Sequence, residues 1–132
     1  MTIVIGWTAT PEGRSALAYA ITEAAVRKTP LTVHGAGPEE VDELGADIEM
    51  ARAAAGSPEV DVTVHEPEAG DTRGVADRLV DVSFEDGVEL LVIGVKRRSP
   101  VGKLLLGSLA QRVLLEANCP VLAVKPPVTA RR

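Results

Sequence analysis

The chain has 132 residues, of which 45% are hydrophobic and 25% charged, and its formal net charge is −5. That is the length of one domain whose core needs no disulfide, and the single cysteine, Cys119, allows none within the chain. Acidic balance repels nucleic acid, and Trp7, Tyr19 and Phe84 are the only aromatics, too few to stack bases along a strand, so no nucleic-acid partner is expected.

No apolar run approaches the ~20 residues that span a bilayer, and the N-terminal run lacks a basic start followed by a long apolar stretch. A cytoplasmic protein without a membrane partner is expected, and one cysteine suits a reducing compartment. Residues 2–6, Thr-Ile-Val-Ile-Gly, are too short for a helix and stop at a glycine, which predicts a buried strand. Thr10 follows as an N-cap with Pro11 in the first helical position. Leu17, Ile21, Ala24 and Ala25 then recur at helical spacing, with Pro30 as the stop.

Residues 31–35 give a second strand and residues 38–55 a second helix. Val41, Leu44, Ile48 and Ala51 lie on one face of that helix and acids on the other, and Gly56-Ser57-Pro58 breaks it. Residues 60–65 alternate Val, Asp, Val, Thr, Val, which suits a strand exposed on one face or near an edge. Asp71 or Thr72 caps a third helix, with Val75, Leu79 and Val82 inward and Gly87 as its stop. Residues 90–94, Leu-Leu-Val-Ile-Gly, form the continuous apolar run of a central parallel strand. After a loop over 95–103, residues 108–117 form a helix with Val113, Leu114 and Leu115, and residues 120–124 the last strand. The domain is expected over residues 1–126, with 127–132 an exposed tail.

Strands alternate with helices, and each strand-to-strand connection has helical length, so the strands are parallel with right-handed crossovers. The predicted fold is α/β: one doubly wound, Rossmann-like domain with a five-stranded parallel sheet in the order 3-2-1-4-5, flanked by four helices.

In such sheets a ligand lies beyond the carboxyl ends of the strands, where the strand order reverses. Of the loops on that edge, the one after Gly94 is the longest and the only strongly basic one: Lys96, Arg97, Arg98 and Lys103 are four of the 14 lysines and arginines. It also holds Gly102 and Gly107, and Gly107-Ser108 sits where the last helix begins. Glycines let backbone approach a phosphate, a helix start offers unpaired N–H groups and the positive end of its dipole, and the serine hydroxyl either caps the helix or donates to a phosphate oxygen. The competing reading is a solvated loop with an ordinary Gly-Ser helix start.

Several other chemistries are excluded. A Walker A loop needs Ser or Thr after Lys103 and glycine at position 97, where Leu104 and Arg97 stand. The dinucleotide Gly-x-Gly-x-x-Gly fails because Gly6 is alone until Gly13. His34 and His65 end strands on the ligand edge without a third metal ligand at known spacing and read as polar caps or rim residues. Glu66, Glu68 and Asp71 lack the acids after the first strand that a magnesium-dependent phospho-acceptor needs. The segment from Thr8 to Gly13 has Pro11 where a flavodoxin phosphate loop has glycine. Cys119 beside Pro120 reads as an inert core thiol, and no Ser, His and acid order suggests a nucleophilic triad. No enzymatic chemistry is expected.

From Gly94 to Val124 the sequence resembles the universal stress protein family, whose nucleotide motif is Gly, two residues, Gly, nine residues, Gly, then Ser or Thr. Gly94, Gly107 and Ser108 stand at its first, third and fourth positions, and Asn118-Cys119-Pro120-Val121-Leu122 is a typical start to the last strand. The resemblance reaches the N-terminal strand and helix and is weak over residues 35–70. It implies a stress-response regulator that binds ATP or another adenine nucleotide, with or without magnesium, as a homodimer paired through Val121, Leu122, Ala123 and Val124. An exposed apolar edge strand wants such a cover. The implied nucleotide-binding set is Thr8, Gly35, Gly94, Arg97, Gly102, Lys103, Gly107 and Ser108, with no catalytic or metal-binding residue.

Three positions depart from the family pattern. Arg97 replaces the motif's second glycine, and either contacts phosphate or blocks the backbone approach. Thr8 stands where nucleotide-binding members carry an aspartate. Gly35 stands where the base meets backbone. The alternative is an interaction module of the same fold that binds no nucleotide, with Arg97 placing its own charge in the phosphate site and function lying in the dimer or a protein partner.

Overall fold

A computed structural model describes residues 1–66, 73–96 and 106–127. The elements run β1 (Thr2–Gly6), α1 (Pro11–Arg27), β2 (Leu31–His34), α2 (Val41–Ala55), β3 (Val62–Val64), α3 (Val75–Val82), β4 (Val88–Gly94), α4 (Ser108–Glu116) and β5 (Val121–Val124), with a short 3-10 turn, Pro38–Glu40, leading into α2. The five strands form one parallel sheet in the order β3-β2-β1-β4-β5, which is the predicted doubly wound arrangement.

Local chemistry sets the helix ends. Thr10 caps α1 as expected, its hydroxyl oxygen accepting from the Gly13 N–H at 3.0 Å. The far end of α1 comes earlier than Pro30. Lys28 takes a left-handed conformation (φ 55) and its N–H closes the last turn, with Arg27 tied to Glu23 and Glu89. For α3 the expected cap is corrected: the helix begins at Val75 with Gly74 in the capping position, while Asp71 and Thr72 lie outside the described residues. Strand β4 begins at Val88, two residues before the apolar run that predicted it, because Gly87 (φ 91) turns the chain directly into it.

Apolar side chains alternate between the two faces of the sheet. Ile3, Ile5, Leu31, Val33, Leu90 and Val92 pack against Leu17, Ile21, Leu44 and Ile48 of α1 and α2. Val4, Leu91 and Ile93 pack on the other face against Leu79 of α3 and Val113 of α4. Burying one such aliphatic side chain contributes about 1.5–3 kcal/mol, so β1 and β4, buried on both faces, are the structural centre. The α2 face is narrower than predicted, since Val41 is half exposed. Strands β3 and β5 are the two edges. β3 covers three residues rather than the predicted 60–65, and Thr63 and Val64 are both exposed; its place at the edge agrees with the expectation, whereas alternation would have turned Val64 inward.

Candidate functional site

The strand order reverses between β1 and β4, so the carboxyl ends of these strands, Gly6 and Gly94, mark the crevice. Of the helices that start on this edge, the two that follow β1 and β4 flank the crevice, and they differ. The start of α1 is occupied by its own chain. Pro11 has no N–H to offer, Thr10 takes the Gly13 N–H, and the Thr8 and Thr10 hydroxyls bond each other at 2.7 Å. The start of α4 is open. Its N-cap is Gly107, which has no side chain to bond the first turn, and Ser108 is exposed, its hydroxyl without a hydrogen-bond partner among the described residues. Ser108 is therefore not the cap but the first residue of the helix.

The predicted glycines separate by what demands them. A Cβ on Gly94 would lie 2.6 Å from the carbonyl carbon of Glu12, with the carbonyl oxygen closer still, so the first turn of α1 packs on the end of β4 only because position 94 is glycine. Gly35 has φ +114 and would press a Cβ into the carbonyl of Trp7, a conformation and a contact that only glycine accepts. Gly107 differs from both. Its φ is −63, ordinary for any residue, and a Cβ there would meet nothing within 4 Å among the described residues. Among the described residues neither backbone nor packing requires glycine at 107. What its missing side chain leaves is access to the unpaired N–H groups of the first turn of α4.

Thr8 sits at the end of β1 as predicted, its backbone and hydroxyl packed on Gly13, where a Cβ would come within 2.7 Å of the Thr8 nitrogen. Lys96 is exposed beyond β4; Arg97, Gly102 and Lys103 lie outside the described residues. Among the described residues no three His, Cys, Asp or Glu side chains are grouped to hold a metal ion.

Two features of this edge escaped the sequence. Trp7 is fully buried, and its indole N–H donates to the Asp47 carboxylate at 3.2 Å. His34 is not the rim residue its position suggested. It is 5% exposed, its Nδ1 has no hydrogen-bond partner, and its ring stacks on His65 at 4.3 Å and 22°. Burial first, then the neighbouring His65 and Arg78, pushes the His34 pKa down from 6.5 to about 4. Cys119 is half-buried and burial raises its thiol pKa, which suits the inert role expected of it. At the opposite, amino edge a cleft of about 340 Å³ is lined by Lys28, Pro30, Glu59, Val60 and Asp61. Its two acids make it a poor receptor for phosphate.

The model of the universal stress protein family matches residues 1–125. A universal stress protein of Mycolicibacterium smegmatis is 43% identical over 132 residues, covering 94% of this chain and 97% of the relative. The solved universal stress protein of Archaeoglobus fulgidus superposes with a TM-score of 0.71 at 28% identity, over 95% of this chain and 98% of that one. The same organism's universal stress protein in complex with dAMP superposes with a TM-score of 0.67 at 24% identity, over 95% and 98% of the two chains. At that identity the superposition speaks for the fold alone.

Proposed function

The chain belongs to the universal stress protein family, and we propose that it is a cytoplasmic, non-catalytic stress-response regulator that binds an adenine nucleotide at the carboxyl edge of its sheet. The observation that carries the reading is the start of α4: a glycine that, among the described residues, neither packing nor conformation requires, beside an exposed serine whose hydroxyl has no partner among them, on a helix N-terminus without a side-chain cap. Such a start stabilises an anion through backbone N–H groups and the helix dipole, worth about 0.3–1 kcal/mol for each favourable charge at a surface. The phosphates belong there, with Arg97, Gly102 and Lys103 of the preceding loop adding close approach and charge. A solved member of the family holds dAMP, which supports the same ligand class here.

On this reading the sugar and base lie toward Thr8 and Gly35. The two hydroxyls of Thr8 and Thr10 share one hydrogen bond, and Thr10 also accepts from Gly13. One hydroxyl hydrogen of the pair is therefore left to donate to a ligand oxygen, whichever of the two makes the internal bond. Gly94 acts indirectly, by letting α1 close on β4. Magnesium, where present, would be carried by the nucleotide phosphates. We further propose a homodimer through β5, which pairs only with β4 and leaves Ala123 exposed beside the half-buried Val121 and Leu122.

The test is thermal unfolding of nucleotide-free protein with ATP, AMP and cyclic AMP, each with and without magnesium. A ligand at ~100 times its Kd adds about 2.7 kcal/mol, a rise of roughly 10 °C for a chain of this length. Ser108→Leu, at an exposed position, is expected to keep the fold and lose the shift. If none of the nucleotides moves the transition, the reading fails and the interaction module of the same fold takes its place.

A further inference from the structure

We propose that the stacked imidazoles of His34 and His65 are an acid-sensitive latch, which holds the carboxyl ends of β2 and β3 together and releases them locally when the medium turns acidic. The inference does not depend on nucleotide binding. His34 is the last residue of β2, and His65 follows the last residue of β3. The strand ends are joined by a bond from the His65 N–H to the carbonyl of Val33, the residue before His34, at 2.8 Å, and the two rings are stacked at 4.3 Å. The inner ring is sealed in: His34 is 5% exposed and its Nδ1 has no partner among the described residues.

The surroundings of His34 cannot accommodate a proton on it. From the side of β3 it faces the second imidazole, His65, and from α3 it faces the guanidinium of Arg78. Arg78 is itself held, donating to the Arg73 carbonyl. From β1 its neighbour in register is Gly6, which carries no charge. Among the described residues an imidazolium at this place would have a cation and a second imidazole near it and no acceptor for its Nδ1–H, so the ring gains a proton more readily by leaving.

The sign follows. The closed pair keeps His34 neutral down to about pH 4, whereas a released ring titrates at 6.5. The open form thus binds more protons throughout that window, and acid favours opening. Between pH 6.5 and 4 the opening equilibrium rises by at most about 80-fold. Opening is local because β3 has three residues, pairs only with β2 and is exposed at Thr63 and Val64. A short edge strand of this kind opens more readily than the centre of the sheet.

Amide hydrogen exchange resolved by NMR reads this directly on the full chain without nucleotide, with rates corrected for the intrinsic pH dependence of exchange. The His65 N–H, bonded to Val33, and the Trp7 N–H, bonded to His34, are expected to lose up to about 80-fold in protection between pH 6.5 and 4. The amides of Val4 and Ile5 in the middle of the sheet should keep theirs. His34→Gln, which takes no proton, should flatten the loss. His65→Gln takes the second imidazole from beside His34, so the closed form holds a proton on His34 more readily and the loss should shrink; that variant decides the matter if the first does not fold. Equal losses at His65 and at Ile5 would mean ordinary acid unfolding and overturn the latch. So would a loss that is unchanged in the variants.

Discussion

Substituting alanine for Gly94 and for Gly107, one at a time, separates the two kinds of glycine in the phosphate motif. At position 94 the new Cβ would stand 2.6 Å from the carbonyl carbon of Glu12 and 3.1 Å from its Cβ, where carbon atoms rest at about 3.5–4.0 Å. The obstacle is helix backbone and cannot swing aside, so the first turn of α1 must move outward by about 1 Å. Overpacking of this kind costs about 1–3 kcal/mol, and the stiffness of the obstacle places Gly94→Ala at the upper end. With an unfolding entropy of about 2.1 cal/mol/K per residue, 3 kcal/mol lowers the Tm of this chain by about 11 °C. At position 107 the Cβ meets nothing among the described residues and φ is −63. Only the poorer N-cap preference of alanine remains, about 0.5–1 kcal/mol, or less than about 4 °C. Differential scanning calorimetry of the two variants without ligand measures both. If Gly107→Ala were the more destabilised, glycine there would be serving the fold, and the argument that the helix start is kept open for a ligand would collapse.

Two further outcomes follow from single contacts. Asp47→Ala leaves the buried Trp7 indole N–H without its acceptor, a loss of about 1–3 kcal/mol, to be read from chemical denaturation followed by the fluorescence of the only tryptophan. Ala123→Lys places a charge on the exposed position of the edge strand β5; light scattering should then find a monomer where the parent chain is a dimer, with an unchanged circular dichroism spectrum, and a parent chain already monomeric would remove the dimer from the proposal.

Order along the chain carried most of the fold. Short aliphatic runs ending in glycine cannot be helices, and helical-length crossovers leave few topologies for five strands, so the strand order and both helix layers were readable from residues 2–6, 31–35 and 90–94. The ends of elements were less so. Lys28 closes α1 in a left-handed turn, which no rule about proline anticipates, and Gly74 caps α3 without a side chain, where a search for capping oxygens looks to Asp71 and Thr72. The site was legible where it rests on glycine and a helix start, and illegible where it rests on distant pairs. Trp7 meets Asp47 across 40 positions and His34 meets His65 across the β2–β3 pairing, and neither residue type announces a partner at that range. A histidine at a strand end reads as polar and outward, and only the packing of β3 beside β2 shows that the ring turns inward.

The division among the glycines also bears on how the family motif should be weighed in this chain. A match at Gly94 carries little information about ligands, because the contact with Glu12 would keep glycine there in a member that binds nothing. Gly35 is in the same position, fixed by its own φ and by the Trp7 carbonyl. The match at Gly107-Ser108 is different, because among the described residues neither packing nor φ calls for glycine at 107. On the proposed reading the phosphates would meet that helix start and the sugar would meet the shared hydroxyls of Thr8 and Thr10, and a neutral hydroxyl makes a weaker hydrogen bond than a charged group does. Binding on that reading should then depend more on the phosphates than on the nucleoside.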